Sequence, residues 1–144
     1  MTRRVVLAGA LVLSAVALWY LRDPAWLIHQ ATGLRDPERD ADGLVTRWSG
    51  GHASFFVRSD VPTIRIPLST TFNPREPGGD RPMLVTFSID DRRAGRILLD
   101  GPAWREITLT LPPAGSRRVR RIDLRTSITR EGNRGVRIGQ PCCF

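Results

Sequence analysis

The feature that most limits what this chain can become is an uncharged run of 17 residues, 5–21. A helix built from it shows an apolar surface on every side, and an apolar helix of that kind needs a hydrocarbon environment. At 1.5 Å per residue it reaches about 25 Å, the short end of what crosses a bilayer. Arg3 and Arg4 precede the run and belong on the cytoplasmic side by the positive-inside rule. Trp19, Tyr20 and Trp26 fall where an interfacial aromatic belt lies at the outer end. Residues 1–22 are therefore expected to form a single-pass anchor in an inner (cytoplasmic) membrane, with the C-terminal bulk periplasmic or extracellular. The competing reading is a cleaved signal peptide, because Ala15-Val16-Ala17 fits the small-residue cleavage pattern. Thr2-Arg3-Arg4 also resembles a twin-arginine export signal, although any anchor carries such a pair.

Residues 23–43 are expected to be a juxtamembrane short helix followed by a polar linker. Asp23 at the N-cap, Pro24 at the first helical position and Gly33 past the end supply the helix signals. The stretch 34–43 carries Arg35, Asp36, Pro37, Glu38, Arg39, Asp40 and Asp42 with almost nothing apolar, which reads as solvated chain. Asp40-Ala41-Asp42 resembles the metal-binding Asp-x-Asp of glycosyltransferases, but its polar linker setting assigns it to solvent.

From Leu44 onward apolar residues recur with period two, the sign of strands with one buried face. Ala53-Phe55-Val57, Ile64-Ile66-Leu68, Met83-Val85-Phe87-Ile89, Ile107-Leu109-Leu111 and Ile122-Leu124-Thr126-Ile128 each point to one side. Breakers separate them at Ser49-Gly50-Gly51, Asp60-Val61-Pro62, residues 73–80, Asp100-Gly101-Pro102 and 112–115. With 44–49, 94–99 and 134–140 added, about eight strands result. The expectation is an all-β, two-sheet antiparallel sandwich (jelly roll) over 44–141, preceded by one N-terminal transmembrane helix, with a closed barrel of the same strand count as the alternative.

Three segments carry a resemblance. Arg47-Trp48-Ser49-Gly50 leading into Ala53, Leu84-Val85-Thr86-Phe87-Ser88-Ile89-Asp90, and Trp104 followed by Ile107-Thr108-Leu109-Thr110-Leu111-Pro112 resemble the jelly-roll domains related to galactose-binding folds. More narrowly, the pattern is similar to β-sandwich domains appended to bacterial membrane glycosyltransferases and cell-surface glycan proteins. It covers roughly 44–139. It departs from the family where Asp91 stands in place of the Gly expected after Asp90, and in the register of the Arg-rich stretch 134–139. The resemblance implies a glycan ligand or a glycan-processing partner.

Trp48 and Trp104, with Arg47 beside Trp48, are the candidate ligand-binding residues, since aromatic rings stack on sugars; both tryptophans also suit a core. Arg117, Arg118, Arg120 and Arg121, near Arg125, form a candidate surface for anionic lipid or polymer. All 22 basic residues are arginine and the net charge is +8, which would suggest nucleic acid were the domain not expected outside the cytoplasm. No nucleic-acid partner, cofactor or metal is expected. Asp80, Asp90 and Asp91 lack a recognisable calcium loop, and His29 and His52 lie in separate regions. No catalytic set can be assembled, so a non-enzymatic module is expected, with an assembly subunit of an envelope complex as the alternative. Cys142 and Cys143 are adjacent, which makes a bond between them strained and a disulfide-linked dimer through either one easier.

Overall fold

The structure is a computed structural model that describes residues 2–39, 43–71, 81–128 and 135–139. The 73–80 loop, Asp40-Ala41-Asp42, Asp80, Arg134, Cys142 and Cys143 lie outside the described residues, so the expectations placed on them have no structural counterpart here.

Helix α1 spans Thr2–Arg22. Its apolar residues are exposed throughout, Leu11 and Leu18 at 71%. One stretch, Val5–Ile28, is long and apolar enough to cross a membrane. The short helix expected after it is a 3-10 turn over Ala25–His29, entered through Pro24 with no side-chain cap. Asp23 does not cap it because its carboxylate is taken by the domain: it accepts from the backbone N–H of Arg118 at 3.3 Å. Asp23 is accordingly buried, at 7% exposure.

The polar stretch expected as linker is partly sheet. Strands β1 (Ala31–Leu34) and β2 (Glu38–Arg39) both pair antiparallel with β3 (Val45–Arg58). Polar composition misleads here because β2 is exposed at the flank of a sheet and is held by its pairing with β3 and by hydrogen bonds from Trp48 and Thr46 to Glu38, none of which requires apolar alternation. β1 lies unusually close to its partner: a Cβ on Gly33 would stand 2.0 Å from the carbonyl oxygen of His52, and Gly33 has φ +69°, where glycine alone is unstrained.

The remaining strands are β4 (Thr63–Ser69), β5 (Met83–Ile89), β6 (Arg92–Leu99), β7 (Arg105–Thr110), β8 (Val119–Thr126) and β9 (Arg137–Gly139). All pairings are antiparallel, in the order β6-β5-β8-β3-β9-β4-β7. This is the expected all-β sandwich-like fold with an N-terminal helix, but with nine strands among the described residues. Two expected strands, 44–49 and 53–57, are one: β3 runs unbroken through Ser49-Gly50-Gly51. Its first part pairs with β9 and its second with β8, so it passes from one sheet to the other at the glycines, and its buried positions change phase from Thr46 and Trp48 to Ala53, Phe55 and Val57. Gly135 fits against that passage, where a Cβ would stand 2.9 Å from the Gly50 carbonyl oxygen.

Between the sheets lie the residues named by the period-two pattern, with Ile66, Leu68, Phe87, Ile122 and Leu124 fully buried. Each such side chain stabilises the fold by about 1.5–3 kcal/mol relative to exposure. At the open side β6 approaches β7 without a hydrogen-bonded ladder. Gly95 makes room there, since a Cβ would meet Leu109 Cδ2 at 3.0 Å and Ile107 Cδ1 at 3.1 Å, and the sheet is nearly closed. The β5–β6 hairpin turns at Asp90 (φ 48°) and Asp91 (φ 68°), the two left-handed positions of a type I′ turn that usually holds Asn-Gly or Asp-Gly. Asp91 replaces the glycine of the resembled pattern without changing the turn.

Candidate functional site

The outer face of the β3–β9–β4 sheet carries the first cluster. Trp48 stands directly opposite Arg137 in the β3–β9 ladder, so their side chains share a face. The guanidinium carbon of Arg137 lies 5.6 Å from the Trp48 ring centre and 5.4 Å from that of Trp104, both within cation–π range. Arg137 also donates to Thr46 Oγ1 at 3.3 Å, and Trp48 Nε1 donates to Glu38 Oε2 at 3.1 Å. Beside this cluster, Leu34, Arg35, Asp36 and Glu38 line an open recess of about 490 Å³.

The two tryptophans differ in exposure. Trp48 is buried at 6%, yet it is outside the apolar core and is covered from the solvent side. Trp104 is 39% exposed. It precedes the regular strand β7 at an even position while Ile107 and Leu109 face inward at odd ones, so its ring turns outward. Gly139 supports it: a Cβ there would meet Trp104 Cζ3 at 3.7 Å and Pro67 Cγ at 2.8 Å. Arg47 does not join them. It stands opposite the core residue Ile138 and therefore points to the other face of the sheet. Arg137 and Glu38 have no distinguishing signal in the sequence; the pairing of β9 and β2 with β3 is what brings them to Trp48.

The second candidate, 117–121, is divided by its secondary structure. Val119 begins β8, so Arg120 and Arg121 belong to a strand and Arg117 and Arg118 to the loop before it. The carboxylate of Asp90 accepts from Arg117 Nη1 (3.2 Å), Arg120 Nη1 (2.7 Å) and the backbone N–H of Arg121 (3.1 Å). Arg120 is 12% exposed and also donates to the carbonyls of Pro113 and Ala114. Arg121 donates through Nε to Asp123 Oδ2 (2.9 Å) and is paired with Asp91. Arg118 meets the end of α1, its guanidinium carbon 4.0 Å from the Trp19 ring centre. The expected anionic-surface arginines are thus held mainly by aspartates of the β5–β6 turn and β8, and by the end of α1.

A third group was not foreseen. His52, Ser54 and Asp123 gather on the outer face of the β3–β8 pair, because Ser54 stands opposite Asp123 in the ladder. Ser54 donates to Asp123 Oδ1 at 2.6 Å, and His52 Nε2 lies 3.4 Å from Ser54 Oγ and 3.5 Å from Asp123 Oδ1. In a nucleophilic triad the acid orients one imidazole nitrogen and the serine uses the other. Here a single nitrogen faces both, and the serine proton is directed at the carboxylate. Burial pushes the Asp123 carboxyl up, but hydrogen bonds from Ser54 and Arg121 outweigh it and hold it below the usual carboxylate range. The hydrogen bond to Asp123 correspondingly raises the Arg121 guanidinium above its ordinary value. Among the described residues no three His, Cys, Asp or Glu side chains are grouped to hold a metal ion.

No protein-family model matches the sequence, and no curated protein matches it either. Among solved structures the chain is similar to a salicylyl-acyltransferase, SsfX3, from a tetracycline biosynthetic pathway (TM-score 0.50, 18% identity, covering 78% of this chain and 35% of that one). It is also similar to a family two carbohydrate esterase from Clostridium thermocellum in complex with cellohexaose (TM-score 0.48, 9% identity, 78% and 30%). A third is a family two carbohydrate esterase from Cellvibrio japonicus (TM-score 0.48, 12% identity, 77% and 29%). This chain spans about a third of the length of those proteins. The likeness to the acyltransferase concerns the fold alone and agrees with the sandwich described above.

Proposed function

We propose that this protein is a membrane-anchored, extracytoplasmic β-sandwich module that binds or positions a glycan without catalysing a reaction on it. The observation that carries this reading is the outward ring of Trp104, held over Gly139 and beside Arg137 while Thr46, Trp48 and Ser69 on the same sheet are buried. A pyranose offers weakly positive C–H groups to the negative face of an aromatic ring, and Arg137 and Glu38 supply polar groups to hydroxyls at the rim. Placement outside the cytoplasm is supported by Arg3 and Arg4 before the apolar run and by Trp19 and Tyr20 at its far end. A non-catalytic role is supported by the His52–Ser54–Asp123 geometry, which leaves the serine without a base of its own.

The test is titration of the full chain in detergent micelles with neutral envelope oligosaccharides, followed by tryptophan fluorescence. Binding that Trp104→Ala removes supports the reading; no binding of any of them refutes it. A second reading, an assembly subunit, is favoured by Leu98, which is 54% exposed on the β6 surface. Crosslinking in membranes that captures the same neighbour in wild type but not in Leu98→Ser would support it.

A further inference from the structure

On the outer face of the other sheet, a bulge places together charges that the sequence keeps apart. Arg93 and Arg96 are three residues apart, a spacing that in a regular strand sends side chains to opposite faces. The β5–β6 ladder pairs Ser88 with Arg93 and Phe87 with Gly95, so Ala94 is an extra residue, and both arginines emerge on the same face. The ladders then align one row across four strands, Arg96–Thr86–Arg125–His52, and beside it a second, Arg93–Ser88–Asp123–Ser54. Arg96 and Arg125 are two strand spacings apart, about 10 Å. Both are exposed, as is Arg93.

This face differs from the 117–121 cluster in its charge balance. Asp123 is its one carboxylate within the two rows, and it is occupied by Ser54 and Arg121. Among the described residues neither Arg93, Arg96 nor Arg125 has an ion-pair partner. Natural surfaces mix the two signs, so like charges aligned along a flat sheet with hydroxyls between them suit an extended polyanion.

Two polyanionic surfaces are accessible to an anchored domain, the membrane and acidic polymers, and position separates them. Arg118, which touches Trp19 near the end of α1, precedes β8 and is seven residues from Arg125, about 23 Å of extended chain at 3.3 Å per residue, a separation that lifts Arg125 off the bilayer where β8 runs along the membrane normal. The headgroup layer is only about 5–8 Å deep. We infer that the outer face of β6-β5-β8-β3 is a second binding surface, with Arg96 and Arg125 at its centre and Arg93 at its side, for a linear acidic polysaccharide bearing carboxylates. It is a different surface from the Trp104 platform, and it rests on the anchored, outward placement proposed above but not on the aromatic site.

The experiment measures retardation of the full chain, in a non-ionic detergent, on affinity gels containing polygalacturonate, with dextran as the neutral polymer. Arg96→Gln and Arg125→Gln are expected to weaken polygalacturonate binding about threefold to fivefold each, and the double variant about tenfold or more. Arg65→Gln, on the opposite sheet, removes the same charge and is expected to change it less than twofold, as is Trp104→Ala. Equal weakening by Arg65→Gln, unchanged binding in the double variant, or equal retention by dextran overturns the inference. So does flotation with anionic vesicles, in place of polymer binding, being the property the double variant loses. Circular dichroism of each variant shows whether a loss reflects unfolding, and Arg125→Lys, which keeps the charge, restores binding if the inference holds.

Discussion

Asp90 is expected to be the most sensitive acidic residue in the molecule, although it stands in a tight turn beside a second aspartate. Its carboxylate receives Arg117, Arg120 and the Arg121 amide, and it closes a hairpin at φ 48°. Asp90→Asn separates charge from backbone conformation, because Asn tolerates the left-handed region nearly as well as Asp. Breaking a fully buried ion pair costs about 3–5 kcal/mol. Here Asp90 is 20% and Arg120 12% exposed, Asn keeps one oxygen as acceptor, and Arg120 keeps the carbonyls of Pro113 and Ala114. About 2 kcal/mol is therefore expected, or a fall in Tm of about 8–16 °C for a domain of this size. Asp90→Ala adds about 1–2 kcal/mol for a Cβ-bearing residue at positive φ with no local hydrogen bond. Thermal unfolding of the full chain in detergent, followed by near-ultraviolet circular dichroism, reads these values. Asp60→Asn, which breaks the solvent-exposed pair with Arg58, serves as the comparison and is expected to leave Tm essentially unchanged. A fall of less than about 2 °C in Asp90→Asn, or an Ala variant no worse than Asn, would refute the role assigned to this carboxylate.

Gly33→Ala is expected to cost about 3 kcal/mol or more, because its Cβ collides with the His52 carbonyl at positive φ; hydrogen exchange on β1 amides should show the strand released from β3. Trp48→Ala should destabilise by about 3 kcal/mol while Trp104→Ala costs under about 1 kcal/mol, a contrast that thermal melts decide and that equal losses would contradict. Asp123 is held below the ordinary carboxylate range in the folded chain, so its contribution is complete above the unfolded value near pH 4 and is lost as pH falls through the folded value below it. Asp123→Asn should accordingly flatten the acid limb of a stability–pH curve below about pH 4 and leave the shape of the neutral region unchanged.

The buried faces of β4, β5, β7 and β8 were legible because each repeats apolar residues at period two over at least five positions. β3 was not legible as one strand: its buried positions change phase where it leaves one sheet for the other, and a phase change at Gly-Gly reads locally as a break. β1 and β2 were hidden because strands of four and two residues are too short to show an alternation: β1 packs only Ala31 and Leu34 against the core, β2 is exposed, and pairing with the distant β3 defines both. The candidate site shows the same division. Trp48 and Trp104 stood out as residue types, but their relation depends on Arg137, which the ladder register alone places between them in sequence-distant space. Arg47 was adjacent to Trp48 in sequence and for that very reason faces the other way.

The same register fixes the direction in which the domain presents itself. The end of α1 meets Arg118, and Asp23 accepts from the Arg118 backbone N–H, so the turn near Ser59, which donates to the Arg117 carbonyl, and the loop before β8 lie at the α1 end of the sandwich. β7 runs from Trp104 toward that end, and Leu111 at its close bonds to Pro62 in the β3–β4 turn. Trp104 is thus seven residues, about 23 Å, from the α1 end of its strand, and Arg125 is equally far from Arg118 along β8. The Trp104 ring and the Arg96–Arg125 row, on opposite sheets, both lie away from the α1 end of the sandwich. The aspartates of the β5–β6 turn pair with Arg117, Arg120 and Arg121, while Arg118 stacks on Trp19 of α1.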